Sequence, residues 1–350
     1  MRKFWQKNRK TSLAFLVAAL LIAILWFFFW PLNRVVEAPG EAVNIQPMVK
    51  IQGKQPLKQN EFMITAVSIA PARPVSYVHR LFDPHIDIQK TNDVTGGQNN
   101  ADFNNVQKVY MQSAINNAIT VGFQHANRPV TKQYHGVYIL NVFPQSDFKN
   151  RLRPADLIES INGQQLTKST EYVNYIKSLP KNAPLKIMFK RDGRQMMVSG
   201  HKHDIVKGFN GIGITMIDDM TIKTDPKAHI DPGQIGGPSG GLMFALQVYS
   251  QLTQQRYQLK KIAGTGTITS DGQVGEIGGV DKKIIAAHKS GAQVFFCPYV
   301  KPTKTNLALE PGHQTNYQVA KATAKKYAPG MKVVPVTSFD QALNYLKTHQ

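Results

Sequence analysis

The hydrophobic and polar positions change rhythm four times along the chain. Residues 13–30 are uncharged and almost wholly apolar, 18 in a row, enough to span a bilayer as a helix. Between 37 and 70 short alternating runs, Val49-Lys50-Ile51-Gln52 and Phe62-Met63-Ile64-Thr65-Ala66-Val67, predict strands. The polar stretch 90–101, with Gly96-Gly97 and Asn99-Asn100, predicts a loop. Val106, Tyr110, Ala114, Ala118 and Val121 recur at helical spacing, so 103–122 predicts an amphipathic helix whose stripe needs a partner in the domains that follow. From Tyr134 the rhythm shifts to β: a strand at 136–142, a hairpin-type turn at Asn162-Gly163, a helix at 171–179, and a strand at 185–191 ending in the turn Asp192-Gly193. From 207 onward strands alternate with helices: strands at 211–216, 262–269, 294–297 and 333–336, helices at 242–252, 282–290, 316–326 and 339–346. The whole predicts a mixed α+β or α/β chain. A basic tail (1–12) and a transmembrane helix (13–30) lead into a strand-plus-helix region (37–133) that packs on the later domains. A small β-rich domain (134–205) and an α/β or α+β domain (207–346) follow.

Composition sharpens the compartment. At 350 residues the chain has room for two or three domains with cores of their own. With 42 Lys+Arg against 22 Asp+Glu, the net charge is +20, a surface that attracts anionic lipid or cell-wall polymer. The charge is spread out and no nucleic-acid-binding motif accompanies it, so no nucleic-acid partner is expected. Arg2, Lys3, Lys7, Arg9 and Lys10 precede the apolar run, which keeps the N-terminus cytoplasmic and puts the body of the chain outside. A cleaved signal peptide would end in a small-x-small site. Here the run ends Trp26-Phe27-Phe28-Phe29-Trp30-Pro31, which suits an interfacial aromatic belt, so an uncleaved single-pass anchor in the cell membrane is expected. The single cysteine, Cys297, excludes an intrachain disulfide and sits in an apolar run as a small core residue. The ten histidines are scattered without H-E-x-x-H, so no metal is expected. G-x-x-x-x-G-K-[ST] is absent, so neither an ATP site nor any other cofactor is expected.

The candidate chemistry lies in Gly236-Gly237-Pro238-Ser239-Gly240-Gly241, at the head of an apolar helical run. Proline and glycines put Ser239 on a tight turn, and the N–H groups of the following helix can stabilise an oxyanion. The plainer alternative is a serine capping a helix. A serine nucleophile needs a base, and a lysine serves only when neutral, which burial and a helix N-terminus both favour. Lys282 and Lys283 sit at such a terminus. Lys283 shares the stripe of Val280, Ile284, Ala287 and His288 and so faces inward, whereas Lys282 shares a face with Lys289 and leans toward solvent. Gly237-x-Ser239-x-Gly241 also fits the G-x-S-x-G of an α/β-hydrolase esterase, with His288 or His313 downstream. That fold wants a strand running into the serine, and Asp231-Pro232-Gly233-Gln234-Ile235-Gly236 is not strand-like.

Two resemblances bear on these residues. The order of elements over 134–205, with Arg151-Leu152-Arg153-Pro154-Ala155-Asp156, Asp156-x-Ile158 and Asn162-Gly163, resembles a bacterial PDZ domain in which both glycines of the usual glycine-leucine-x-proline-glycine-aspartate phrase are replaced. If so, a peptide adds as a strand at an edge near Gly136, Val137, Tyr138 and Ile139. Further on, Gly237-Pro238-Ser239-Gly240-Gly241, Gly264-Thr265-Gly266-Thr267-Ile268, Gly272-x-Val274, Ile277-Gly278-Gly279-Val280-Asp281-Lys282-Lys283 and Ala286-Ala287-His288-Lys289-x-Gly291 form an ordered set. Over 207–346 this set resembles the proteolytic domain of Lon, the Ser–Lys peptidase family S16. Anchor, PDZ and Lon-type domain together resemble the YlbL/SepM group of membrane-anchored Lon-like proteases. The resemblance implies Ser239 as nucleophile, Lys283 as its base, Thr265 as a hydroxyl that helps hold the lysine, and Gly237, Pro238 and Gly240 in support. Gly236 stands where the Lon pattern often has an aspartate. It implies a serine endopeptidase, working without ATP on exported peptides, unfolded protein or membrane-associated proteins, and a homo-oligomer, since Lon domains commonly form rings. The rival is an anchored PDZ adaptor with an inactive protease domain, which predicts a broken dyad; Ser239 and Lys283 both stand.

Overall fold

The structure, a computed structural model, describes residues 9–57, 59–206, 208–308 and 310–349. Arg2, Lys3 and Lys7 of the basic tail, and Lys207 where the sequence starts its last domain, lie outside the described residues. The chain divides into two compact units, one reaching to Gly40 and including Val67–Gln98, the other made of Glu41–Ala66 and everything from Asn99 onward.

In the first unit the apolar run forms the helix Arg9–Phe29. Its stretch Thr11–Phe29, 19 residues, is long and apolar enough to cross a membrane. Beyond it, Arg34–Glu37 pairs antiparallel with the strand Asp87–Lys90. A helix the periodicity reading passes over, Pro74–Phe82, fills the connection. The expected loop at 90–101 is shorter than the sequence suggests. Thr91–Thr95 makes a helical turn closed by Gly96, and Asn99 is the N-cap of the next helix, its Oδ1 accepting from the Asp102 N–H at 2.9 Å. The polar cluster is capping chemistry as much as loop.

In the second unit Lys332–Val336, Val294–Pro298, Lys261–Gly264 and residues 61–66 lie side by side in that order. These four are parallel, with Ile262 beside both Phe62 and Val294. Successive residues go to opposite faces and both faces are buried. Phe62, Ile64, Ile262 and Phe296 join the core under the helices Asn100–His125, Gly241–Thr253 and Phe339–Thr348. Met63, Ala263, Phe295 and Cys297 join the other core, under Val280–Lys289 and Asn316–Tyr327. That is why these strands read as unbroken hydrophobic runs. Cys297 is a free, buried core residue, and burial pushes its thiol up. The stripe of the 100–125 helix packs on Gly241–Thr253 at close range: a Cβ on Gly122 would lie 2.6 Å from Val248 Cγ1.

Between these two helices the chain builds a five-stranded antiparallel sheet, ordered Ile214–Thr224, Val130–Val142, Leu157–Ile161, Pro184–Arg191, Arg194–His201. Asn162-Gly163 and Asp192-Gly193 turn with φ of 52°, 78°, 50° and 77°, the paired positive values of a two-residue hairpin turn. Asp156, buried, accepts from Arg191 Nε at 2.8 Å, from Arg191 Nη2 at 2.7 Å and from the Arg153 N–H. One expectation is corrected here. The strand containing Ile214 forms one edge of this sheet: all eleven of its residues pair with Val130–Val142. Consequently Gly136, Val137, Tyr138 and Ile139 are not an edge. Val137 pairs with Asp218 on one side and Ile158 on the other, so the backbone groups a peptide would use are spent. The antiparallel domain is thus an insertion in a larger α/β core that starts before it and resumes after it, with Ile45, Phe62 and Phe123 in the same core as Leu242 and Phe296.

Candidate active site

Three segments converge on Ser239. The first is its own loop. Gly237 takes φ of +84° and donates its N–H to the Gln107 carbonyl at 2.9 Å, which ties the loop to the 100–125 helix. The second is the extension of the Lys261–Gly264 strand. Gly266 N–H donates to the Ser239 carbonyl at 2.8 Å, and Leu242 N–H donates to the Gly266 carbonyl at 3.2 Å. A Cβ on Gly241 would lie 2.8 Å from Ile268 Cγ2, so this approach needs glycine. The third is the first turn of the Val280–Lys289 helix, which carries Lys283.

Lys283 Nζ donates to Ser239 Oγ at 2.9 Å and to Thr265 Oγ1 at 3.2 Å. Thr265 in turn donates its hydroxyl to the Ser239 carbonyl at 3.2 Å. Lys283 and Thr265 are buried and Ser239 is half-buried. The N-cap of the Gly241–Thr253 helix is Gly240, and no side chain caps it, so Ser239 is not a capping serine. The amides of Ser239 and Gly240 have no partner among the described residues, whereas that of Gly237 is used by Gln107 and Pro238 has none. Gly237 and Pro238 therefore shape the loop, and Ser239 and Gly240 are left with available N–H groups.

The structure brings Ser239, Lys283, Thr265 and Gly240 together, while Gly136–Ile139 belongs to the other sheet. Helix face does not separate the two lysines, however. Lys282 is as buried as Lys283 and donates to Asp281 Oδ2 at 2.8 Å. The helix is covered on both faces, by the sheet and by Asn316–Tyr327, so periodicity cannot rank them. What distinguishes Lys283 is its reach to Ser239. Gln107 carries no local signal that it would touch this loop, because it sits 130 residues earlier on a helix read only for its apolar stripe. No strand leads directly into Ser239, since Ala228–Ile230 ends nine residues before it, against the α/β-hydrolase arrangement. Among the described residues no three His, Cys, Asp or Glu side chains form a group that could hold a metal ion.

Residues 193–310 match the model of the Lon protease (S16) C-terminal proteolytic domain, and residues 118–199 match the PDZ domain. Similar curated proteins include the Lon protease of Desulfosudis oleivorans, 26% identical over 227 residues, covering 57% of this chain and 27% of that protein. The Lon protease of Buchnera aphidicola subsp. Schizaphis graminum is 31% identical over 127 residues, 36% of this chain and 14% of that protein. The chain thus spans about a quarter or less of the length of these relatives. Among solved structures, the PDZ domain of an SdrC-like protein from Listeria monocytogenes is 32% identical, covers 24% of this chain and 90% of that one, and has a TM-score of 0.23. The second domain of a Listeria innocua protein is 36% identical, covers 25% and 88%, and has a TM-score of 0.22. By the two domain matches, the chain carries a PDZ domain and a proteolytic domain of the Lon type. In sequence the two matches follow one another and overlap at 193–199; in the fold the antiparallel sheet interrupts the larger core.

Proposed function

We propose that the protein is a membrane-anchored serine endopeptidase that works outside the cytoplasm, without ATP, through Ser239 and Lys283. The observation that carries this is the 2.9 Å contact from Lys283 Nζ to Ser239 Oγ, inside a domain of Lon type. In the reaction the neutral Lys283 amine takes the Ser239 proton as Oγ attacks the peptide carbonyl. The Ser239 and Gly240 amides receive the developing oxyanion, and Thr265 keeps the lysine in place through its two hydrogen bonds. Lys283 then returns the proton to the leaving amine, and water, activated by the same lysine, releases the acyl group. The relatives are Lon proteases, and this chain has no P-loop, so its substrate is a peptide or a protein segment already unfolded. The span Thr11–Phe29, preceded by Arg2, Lys3 and Lys7, supports an uncleaved anchor with its N-terminus inside. For substrate selection the edge strand Ile214–Thr224 replaces Gly136–Ile139. Its Asp218 Oδ1 accepts the Ser169 N–H at 2.6 Å, which brings the start of the helix Ser169–Ser178 to this strand, and an added peptide would pair along the strand's free edge.

The test is hydrolysis of an unfolded protein, without ATP, by wild type, Ser239→Ala and Lys283→Ala, read by mass spectrometry. Both variants are expected to lose at least about 10³-fold in rate with their melting temperatures kept. Activity retained in Lys283→Ala would sink the mechanism. If ATP is required, the ATP-independent reading fails. If wild type binds peptides through the PDZ domain and cuts none, the chain is an adaptor.

A further inference from the structure

The helix Pro74–Phe82 has a pattern that the fold does not use. Tyr77, Val78, Leu81 and Phe82 lie on one face, one and four residues apart, while Ser76, His79 and Arg80 lie opposite. None of its residues is buried. Leu81 is 81% exposed and Phe82 is 83% exposed, with Tyr77 at 44% and Val78 at 39%. Leaving an aromatic-aliphatic pair of this size in water forgoes the hydrophobic gain of burying it. The helix carries no acidic residue, and Arg73 precedes it.

Where this helix sits within its unit decides what covers it. It begins at the exit of the apolar span. Leu32 N–H donates to the Ala72 carbonyl at 2.8 Å, and Ala72 N–H donates to the Arg34 carbonyl at 2.9 Å. The Arg73 guanidinium stands over the Phe29 ring, 5.9 Å from its centroid. Phe27, Phe28, Phe29 and Trp30 are the aromatic end of the span, the part that suits the headgroup level. The start of the Pro74–Phe82 helix is therefore held at that level by two backbone hydrogen bonds and a cation–π contact. At 1.5 Å per residue the helix is about 13 Å long, enough to lie in the interface beside the span.

We propose that Pro74–Phe82 is a second membrane element, an interfacial helix that lays Tyr77, Val78, Leu81 and Phe82 into the outer leaflet at the anchor's exit. The inference rests on the reading of Thr11–Phe29 as a membrane span. With its apolar face about 5–10 Å deep and Arg73 and Arg80 among the headgroups, the helix restrains the polypeptide leaving the bilayer and prefers anionic lipid.

Full-length protein with Phe82→Cys, carrying an environment-sensitive fluorophore, tests this in vesicles of phosphatidylcholine and phosphatidylglycerol. Cys297 is buried and stays unlabelled. Leu20→Cys, inside the span, reports on the anchor, and Ser178→Cys on the PDZ domain reports on water. Lipids with brominated acyl chains and aqueous iodide are the two quenchers. Bromolipid is expected to remove most of the emission at positions 20 and 82 and none at 178, with the reverse order for iodide. Quenching of position 82 by iodide alone, with position 20 quenched by bromolipid, overturns the proposal and leaves the anchor standing. Position 82 shielded from both quenchers means that protein covers the helix, which also overturns it. Position 20 open to iodide removes the anchor itself and the proposal with it.

Discussion

Ala155 occupies the second glycine position of the PDZ phrase and has φ of +67°, a left-handed conformation that costs an L residue about 1–2 kcal/mol. Ala155→Gly is expected to raise stability by about 1 kcal/mol, after the greater freedom glycine gives the unfolded chain, as checked by urea denaturation. Asp219 is a second residue at odds with its place. Burial raises its carboxyl, with nearby His135 working in the opposite direction. A raised folded value means that the folded state holds the proton longer than the unfolded one. Its contribution to stability is therefore present at low pH and lost as pH rises through the folded value. Asp219→Asn is expected to melt higher than wild type at neutral pH, and the gap should close below about pH 4, where both forms are uncharged. A gap that widens on acidification would refute this. Sequence reasoning saw the replaced glycine in the motif, but the sign of φ at Ala155 and the burial of Asp219 depend on strands brought together later.

At the scale of elements, the 100–125 helix joins the two halves of the core. Its central contact is Gly122 against Val248 on the Gly241–Thr253 helix, the helix that follows Ser239. Gly122→Ala gains helix propensity but forces a Cβ within 2.6 Å of a branched side chain. The net is a destabilisation of about 1–2 kcal/mol, since overpacking outweighs the backbone gain. Adding Val248→Ala should restore most of it, and a double-mutant cycle by thermal melts would show the coupling. The helix itself was legible from Val106, Tyr110, Ala114, Ala118 and Val121. Its length was not: Asn99 caps it three residues earlier than the stripe suggests, and it runs to His125. The Pro74–Phe82 helix has an equally regular stripe and went unread because it is only nine residues long and flanked by strands.

The second unit is a core of Lon type with an antiparallel domain threaded into it. Entry and exit of that domain are adjacent, since Val130 pairs with Thr224 and Tyr134 with Met220. Replacing 135–219 by an Asn-Gly turn should therefore close the remaining strands as a hairpin and leave the core folded. The shortened protein is expected to retain the cooperative unfolding of its core and to cut unfolded protein near the wild-type rate, while losing preference among peptides that the PDZ domain selects. Loss of folding in circular dichroism and calorimetry would show that the insertion is part of the core. The sequence presents the two domains in tandem, because family phrases are read one after another and a return of the chain to an earlier core leaves no local mark.

What the sequence by itself determined is what depends on near neighbours. The apolar span, the alternation of strands and helices after 225, the two hairpin turns and the Ser239 loop all follow from spacing within a few residues. So does the lysine pair at the start of the Val280–Lys289 helix. Tertiary structure alone decided the rest. It made Ile214–Thr224 the sheet edge and Gly136–Ile139 its interior, buried Lys282 as deeply as Lys283, and spent the Gly237 amide on Gln107. Each of these turns on a hydrogen bond or packing contact between segments far apart in the chain, and hydrophobic periodicity records that a face is buried without recording what buries it.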